Sequence, residues 1–281
     1  MKKWLKRLTL IVIILVVAGF VSSLLSRIPV GDRIAVVKVK GTLIDPEPTV
    51  LRIQRAKEDK SVKALVLRVD SPGGSVGASQ EIYRALEDFK STGKPLVVSM
   101  GNVAASGGYY ISAPADLIIA NPGTITGSIG VIVQHTELKA LLERLGIKIT
   151  AIKTGKFKDT LSPFRDLTEE ERKYLQDTIQ DAYEQFLQAI LKHRSKKISE
   201  EKLKEIADGR VFTGRVAKDL GLVDELGNLQ DAINRAKQLA KVPEARVFYM
   251  EDRKGLIRRL IEEDFQGISG DYPLMLYYIM K

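Results

Sequence analysis

The 281-residue chain contains no cysteine and only two histidines, His135 and His193. The absence of cysteine excludes thiolate catalysis, disulfides and cysteine-ligated zinc. Neither histidine lies in a context typical of a Ser-His-Asp arrangement, so a serine nucleophile would need a different base. The acidic residues form no metal-ligand pattern and no glycine-rich phosphate loop is present, so no cofactor is expected. Beyond the first seven residues no basic cluster with interleaved aromatics occurs, which indicates no nucleic-acid partner.

The N-terminal segment combines basic residues with a long uncharged stretch. The chain carries a net charge of +9, and four lysine or arginine residues precede an uncharged run over 8–25. Roughly twenty apolar residues suffice to span the hydrocarbon core of a bilayer. We therefore predict a cytoplasmic N-terminus over 1–7, a transmembrane helix over 8–26 in the cell membrane, and an extracytoplasmic remainder. A cleaved signal peptide is the alternative interpretation.

After a polar linker over 27–33, apolar runs of strand length alternate with helical patterns. β-Branched residues predict strands at 34–39, 64–69, 95–100 and 117–120, with weaker strand patterns at 129–133 and 147–152. Helices are predicted at 50–59, 78–89, 103–113, 138–145, 203–207, 214–220 and 228–239, and one long helix at 168–194. This alternation predicts an α/β fold with a largely parallel sheet that is covered on both faces.

The domain is expected to extend over 34–245 and to be followed by a C-terminal extension over 246–281. The end of this extension, 272–280, is apolar and aromatic. Exposed apolar patches usually mark interfaces. The composition therefore predicts that the tail packs on its own domain or, alternatively, against a neighbouring subunit or a substrate groove.

Two residues about fifty positions apart suggest the chemistry. Ser106 lies in a run of small residues directly after a predicted strand, and Lys158 lies in a polar segment with glycine nearby. A lysine can take the proton of a serine hydroxyl only when it is neutral, and burial disfavours its ammonium form. Ser-Lys pairs are a known alternative to the histidine-based triad. A serine and a lysine alone are not specific, because the chain contains many of both.

Longer motifs add specificity. They occur at 70–74 (DSPGG), 104–110 (AASGGYY), 126–131 (TGSIGV), 158–163 (KDTLSP) and 208–214 (DGRVFTG). Through these motifs, over about 34–227, the chain resembles the signal peptide peptidase A family, serine endopeptidases of the bacterial membrane. The resemblance implies a ββα superhelix similar to the Clp protease subunit and the crotonases. It also implies assembly into a homo-oligomeric ring, and as substrates cleaved signal peptides and other short unfolded peptides.

By the same resemblance, Ser106 is the nucleophile and Lys158, rather than the two lysines before it, is the general base. Ser128 is the expected third member, which would orient the lysine amine; a turn serine that only caps local backbone is the alternative. Gly73 and Gly107 are expected to form the oxyanion hole through their backbone N–H groups. Whether Ser106 and Lys158 meet within one chain or across a subunit boundary stays open, although for a short chain the resemblance suggests the boundary.

Two other classes of function remain open at this point. A crotonase-like enzyme acting on acyl-CoA would share the fold, but it would have no use for a Ser-Lys pair or a membrane anchor. A catalytically silent membrane scaffold would bind peptides or organise partners without cleaving them. Loss of cleavage on replacing Ser106 or Lys158 distinguishes the peptidase from both.

Overall fold

The computed structural model describes residues 13, 31–250 and 277–279. The predicted transmembrane helix over 8–26 lies outside the described residues except for Ile13, and so does most of the C-terminal extension. Within the described part of the chain, no helix is both long enough and apolar enough to cross a bilayer.

The described residues form ten strands. They are β1 (Arg33–Lys40), β2 (Val62–Ser71), β3 (Gly73–Ser75), β4 (Leu96–Ala105), β5 (Leu117–Ala120), β6 (Ile125–Gly127), β7 (Val211–Thr213), β8 (Glu225–Leu226), β9 (Arg246–Tyr249) and β10 (Tyr277–Ile279). The helices in this part of the chain are α1 (Glu47–Glu58), α2 (Val76–Lys90), α3 (Gly107–Tyr110), α4 (Lys139–Arg144), α5 (Glu169–Arg194), α6 (Glu200–Ile206), α7 (Gly214–Asp219) and α8 (Leu229–Leu239).

The main sheet has the strand order β7-β6-β4-β2-β1-β9, with β5 paired to β4 and β8 paired to β5. All of these pairings are parallel except that of β6 with β7. Strand β4 forks, because residues 97–100 pair with β5 while residues 103–105 pair with β6. The prediction of a largely parallel sheet is confirmed.

Both faces of this sheet are covered. Along β1, Ala35 and Val37 belong to the larger core cluster, which also contains residues of α1, α2 and α5. The alternate residues Ile34 and Val36 belong to a second cluster with apolar residues of α8. Because successive side chains of a strand point to opposite faces, continuous apolar strands are typical of a sheet buried on both sides.

Three local predictions are wrong. The helix predicted at 103–113 is confined to α3, because residues 103–105 continue β4 and pair with β6. The small residues of this segment give little periodicity, so strand pairing decides its secondary structure. The segments 129–133 and 147–152 form no strand. The second of these contains exposed isoleucines, and Ile152 is fully exposed. By contrast, the long helix predicted at 168–194 is confirmed, and Thr168 and Glu171 form its capping box.

Candidate active site

Ser106 occupies a sharp turn between strand β4 and helix α3. Its φ angle is +53°, a region that non-glycine residues seldom adopt and that costs conformational energy. The backbone N–H of Ser106 donates to the carbonyl of Gly127 at 2.8 Å, and its own carbonyl accepts from the N–H of Tyr110 at 2.8 Å. These two bonds hold the strained backbone in place.

The hydroxyl of Ser106 is buried, and among the described residues no group forms a hydrogen bond with it. Buried polar atoms nearly always have a partner. Ser112 shows the ordinary case, because its buried hydroxyl donates to the carbonyl of Gly108 at 2.7 Å. An unpartnered hydroxyl on a strained turn is typical of a functional serine, since strain and unpaired groups concentrate at such sites.

Ser128 lies beside Ser106. Ala105 and Gly127 are paired in register on the adjacent parallel strands β4 and β6, so the residues that follow them leave the sheet side by side. Ser128 also has a left-handed backbone, with φ +50°, and its N–H donates to the carbonyl of Arg210 at 2.8 Å. The structure therefore brings together two of the three predicted catalytic residues.

The two glycines predicted for the oxyanion hole follow the carboxyl ends of neighbouring parallel strands. Gly73 comes after β2, and Gly107 comes after β4. Gly107 is the first residue of α3, so its N–H is not used by the hydrogen bonds of the helix. Gly73, with φ +101°, donates its N–H to the hydroxyl of Ser71 at 3.1 Å. A Cβ on Gly108 would lie 2.7 Å from the carbonyl oxygen of Ser71, which shows how closely this loop and α3 approach each other.

Asp70 orients the segment that leads to the nucleophile. One of its carboxylate oxygens accepts the backbone N–H groups of Asn102 and Val103 at 3.1 and 3.2 Å. A Cβ on Gly101 would lie 2.8 Å from the Asp70 side chain. These contacts give Asp70 a structural role, since it holds the backbone of the segment before Ser106.

Lys158 is not brought to Ser106 within one chain. It lies in a turn over 155–162, its side chain is exposed, and it is not hydrogen-bonded to the Ser106 hydroxyl. The two preceding lysines have carboxylate partners, since Lys153 pairs with Asp159 and Lys156 pairs with Glu170. Within the described residues Lys158 has no ion-pair partner. The described residues thus leave this amine without a charged partner and do not provide the burial that a neutral lysine requires.

The segment that carries Lys158 exposes many large apolar side chains. They are Ile132, Leu138, Leu141, Leu145, Ile147, Ile149, Ile152 and Phe164. Contiguous apolar surface on a soluble domain marks an interaction site or a binding groove. We call residues 131–165 the arm.

An open cleft of about 960 Å³ borders Ser128. Its walls are formed by residues that follow Ser128, by one side of α5 including Tyr183, and by the segment from Ala207 to Val211. Lys158 of the same chain does not line this cleft. The side of Ser128 from which an amine could approach is therefore open to an incoming group.

A short strand from the C-terminal extension lies against the loop that contains Gly73. Strand β10 pairs antiparallel with β3, with Tyr278 opposite Gly74. The other edge of β3 is occupied by Leu43, whose N–H donates to the Gly73 carbonyl at 2.8 Å and whose carbonyl accepts from Ser75 at 2.7 Å. Residues 277–279, the described part of the tail, thus pair with their own domain next to the Ser106 turn, whereas the rest of the tail lies outside the described residues.

The sequence patterns did not indicate the residues that hold the lysine-bearing turn. Arg165 donates to the carboxylates of both Asp159 and Glu171. Glu171 is only 3% exposed. The capping position of Glu171 is visible in the sequence, but nothing local indicates that Arg165 reaches it.

Comparison with known proteins shows the family of this chain. The profile described as peptidase family S49 matches residues 88–243. A Synechocystis protein that bears a protease name is 44% identical over 237 residues, which is 83% of this chain and 84% of that protein. Protease 4 of Haemophilus influenzae is 38% identical over 85% of this chain, and the chloroplastic serine protease SPPA of Arabidopsis thaliana is 38% identical over 75% of it. The chain spans 41% and 33% of the length of the latter two.

Among solved structures, the 1510-N membrane-bound stomatin-specific protease has a similar fold. The TM-score is 0.55 at 16% identity, and the match covers 80% of this chain and 100% of that one. At this identity the likeness concerns the fold alone. The matched profile and the coverage of its relatives decide the assignment: the chain belongs to peptidase family S49, the signal peptide peptidase A family.

Proposed function

We propose that this peptidase is a membrane-anchored serine endopeptidase in which Ser106 is the nucleophile and Lys158 the general base. The observation that carries the proposal is the buried, unpartnered hydroxyl of Ser106 on a strained turn. A hydroxyl without a competing partner is free to give its proton to an arriving base. Gly73 and Gly107 would donate their N–H groups to the oxyanion; Gly73 would exchange the Ser71 hydroxyl for the stronger, charged acceptor.

In this proposal Lys158 reaches Ser106 from a neighbouring copy of the chain within a homo-oligomeric ring. Three observations support it. The Lys158 side chain is exposed in one chain, the arm that carries it is apolar on its surface, and Ser128 borders an open cleft. Docking of the arm would bury both the apolar side chains and the amine, and burial would favour the neutral form of Lys158. Ser128 would then orient the amine, and Lys158 would carry the proton in both acylation and deacylation.

The proposed substrates are extended peptides, in particular cleaved signal peptides and other short unfolded segments. Strand β3 supports this proposal. The edge of β3 that faces away from Leu43 pairs with an added strand, β10, beside the proposed nucleophile. Strand addition lets main-chain hydrogen bonds bind a peptide with little dependence on its sequence. An anchor over 8–26, with the catalytic domain on the extracytoplasmic side of the cell membrane, would raise the effective concentration of membrane-embedded peptides.

Mixing of inactive variants tests the proposed site. Ser106→Ala and Lys158→Ala, purified with the full chain in detergent, are expected to lose cleavage of a denatured protein and of an apolar signal-like peptide. When the two are dissociated and reassembled together, activity is expected to return in part, because some sites then pair an intact Ser106 with an intact Lys158.

Two matched controls accompany this experiment. Ser112→Ala removes a buried serine that has its own backbone partner, and Lys156→Ala removes a neighbouring lysine that pairs with Glu170. Both are expected to cleave like the parent. Retained activity in either single catalytic variant would refute the Ser-Lys pair, and an inactive parent would favour a silent scaffold. Inactive singles that never complement would place both residues in one chain.

A further inference from the structure

Arg165 joins the lysine-bearing turn to the start of helix α5. Its Nε and Nη2 donate to the carboxylate of Asp159 at 2.9 and 2.7 Å. Its Nη1 and Nη2 donate to the carboxylate of Glu171 at 2.9 and 2.5 Å. Such two-pronged contacts between guanidinium and carboxylate are strong and fix the orientation of both groups. One side chain therefore links two carboxylates from different elements.

Glu171 provides the rigid end of this link. It is 3% exposed, and its carboxylate also accepts the N–H of Thr168 at 3.0 Å and the hydroxyl of Thr160 at 3.1 Å. Glu171 itself lies in the first turn of a 26-residue helix. Arg165 consequently holds the turn that contains Asp159 against a long helix.

Asp159 directly follows Lys158 in the chain, but its carboxylate contacts Arg165 and Lys153. Hydrogen bonds from Arg165, and then from Lys153, hold the pKa of the Asp159 carboxyl well below its usual range. Lys153 also forms an ion pair with this carboxylate. The carboxylate nearest to Lys158 in sequence is therefore fully occupied by two other cations.

We propose that Arg165 is a positioning residue for Lys158, which fixes the turn on α5 and keeps the Asp159 carboxylate away from the lysine amine. This inference rests on the proposed function, in which Lys158 acts as the base. A carboxylate with fewer cationic partners next to Lys158 would stabilise the ammonium form of the lysine. Less neutral amine would then be present at a given pH, and catalysis would require a more alkaline solution.

The charged groups around this turn define the expected pH behaviour. They are Lys153, Lys156, Asp159, Arg165, Glu170 and Glu171. Of these, Lys156 and Glu170 pair with each other at the exposed surface. Glu171 remains partnered by Thr160 and Thr168 when Arg165 is replaced. The main electrostatic change on losing Arg165 is thus at Asp159, which keeps only Lys153 as a cationic partner among the described residues.

The test is the pH dependence of kcat/KM for the full chain. Arg165→Gln is expected to move the rising limb to higher pH by about one unit, the scale of one nearby charge. Asp159→Asn is expected to move it to lower pH, because Arg165 and Lys153 then lack their counter-charge. The double variant is expected to return towards the parent. Arg172→Gln serves as the matched control, since within the described part of the chain Arg172 forms an ion pair only with the exposed Glu169.

Circular dichroism establishes that each variant is folded, and Asp159→Asn tests the proposal even where Arg165→Gln fails to fold. The proposal is overturned if neither variant moves the limb, or if the double variant stays where Arg165→Gln lies. A limb that does not move while Lys158→Ala is inactive refutes only the role of Arg165. Full activity of Lys158→Ala would instead refute the proposed function and this inference with it.

Discussion

The N–H of Ser106 donates to the carbonyl of Gly127 at 2.8 Å, which joins the nucleophile turn to the residue before Ser128. Both serines have a left-handed backbone, with φ angles of +53° and +50°. Two strained serines at matching positions of adjacent strands are unusual, because such strain persists only where the surroundings enforce it. The pair forms the fixed half of the proposed catalytic site.

Ser128→Ala is expected to lower kcat about a hundredfold, the low end of what positioned proton-transfer groups contribute. The physical reason is that the lysine amine would lose the hydroxyl that orients it. KM is expected to change little, since Ser128 need not contact the substrate strand. Steady-state kinetics on a peptide substrate measure both constants, with Ser112→Ala as the control. A change confined to KM would count against an orienting role.

Gly108→Ala is expected to lower kcat about tenfold to a hundredfold, because small displacements of a catalytic group are costly. Its added Cβ would lie 2.7 Å from the carbonyl oxygen of Ser71, so α3 or the loop at Gly73 must move. Gly77→Ala is the control, because no atom lies within 4 Å of its added Cβ and it lies in helix α2. That control should keep full activity and gain roughly 0.5–1 kcal/mol of stability. Equal activity of the two variants would contradict the close packing.

The buried ion pair between Arg194 and Asp224 predicts a loss of stability in acid. Burial opposes the charged Asp224 carboxylate, but hydrogen bonds and charge from Arg194 outweigh it, so the pKa of Asp224 lies below its ordinary value. A depressed pKa stabilises the fold above the unfolded-state value, about 3.9, and this stability is lost as the pH falls through the folded-state pKa. Urea unfolding between pH 7 and pH 3 measures the effect.

Asp224→Asn is expected to cost roughly 3–5 kcal/mol at pH 7, because it leaves the Arg194 guanidinium buried without its counter-charge. The variant should also show a weaker dependence on pH in the acid range. Asp208→Asn is the control, since Asp208 pairs with Arg210 at the exposed surface and should change stability little. If both variants unfold alike, the Arg194–Asp224 pair does not stabilise the fold as proposed.

Tyr278→Pro is expected to lower KM for short extended peptides about fivefold. This change corresponds to the net free energy of roughly one backbone hydrogen bond. Leu43 uses the groups of Gly73 and Ser75 that face it, so strand geometry directs the N–H and carbonyl of Gly74 towards Tyr278. Proline removes the N–H of residue 278 and weakens this pairing. Tyr278→Ala keeps the N–H and should behave like the parent. An unchanged KM in the proline variant would show that β10 does not compete with substrate.

The sequence predicts the strands and long helices of this fold well, because β-branched runs and the acidic first turn of α5 are local signals. It fails at 103–113, where alanine and glycine give no period and the pairing of β4 with β6 decides the structure. It also fails at 147–152, whose alternating isoleucines find no partner strand within the described chain. Strand propensity needs a neighbour to become a strand.

For the site, the motifs predict Ser106, Ser128 and the two glycines, and the register of β4 and β6 explains why the two serines lie side by side. Lys158 stays a prediction, because its side chain is exposed and forms no hydrogen bond with the Ser106 hydroxyl. The role of Arg165 is not visible in the sequence either. Its importance lies in the two carboxylates it contacts, and one of them belongs to a different element.

The fork in β4 separates the region that stabilises the fold from the region that carries the nucleophile. Residues 97–100 pair with β5 and, in continuous register, with β2, whereas among residues 103–105 only Ala104 pairs with β2, beyond a register shift, and the other neighbour is the short strand β6. Local opening proceeds most easily where few buried contacts oppose it. Heating should therefore inactivate the enzyme before its helices melt, and the inactive form should recover on cooling.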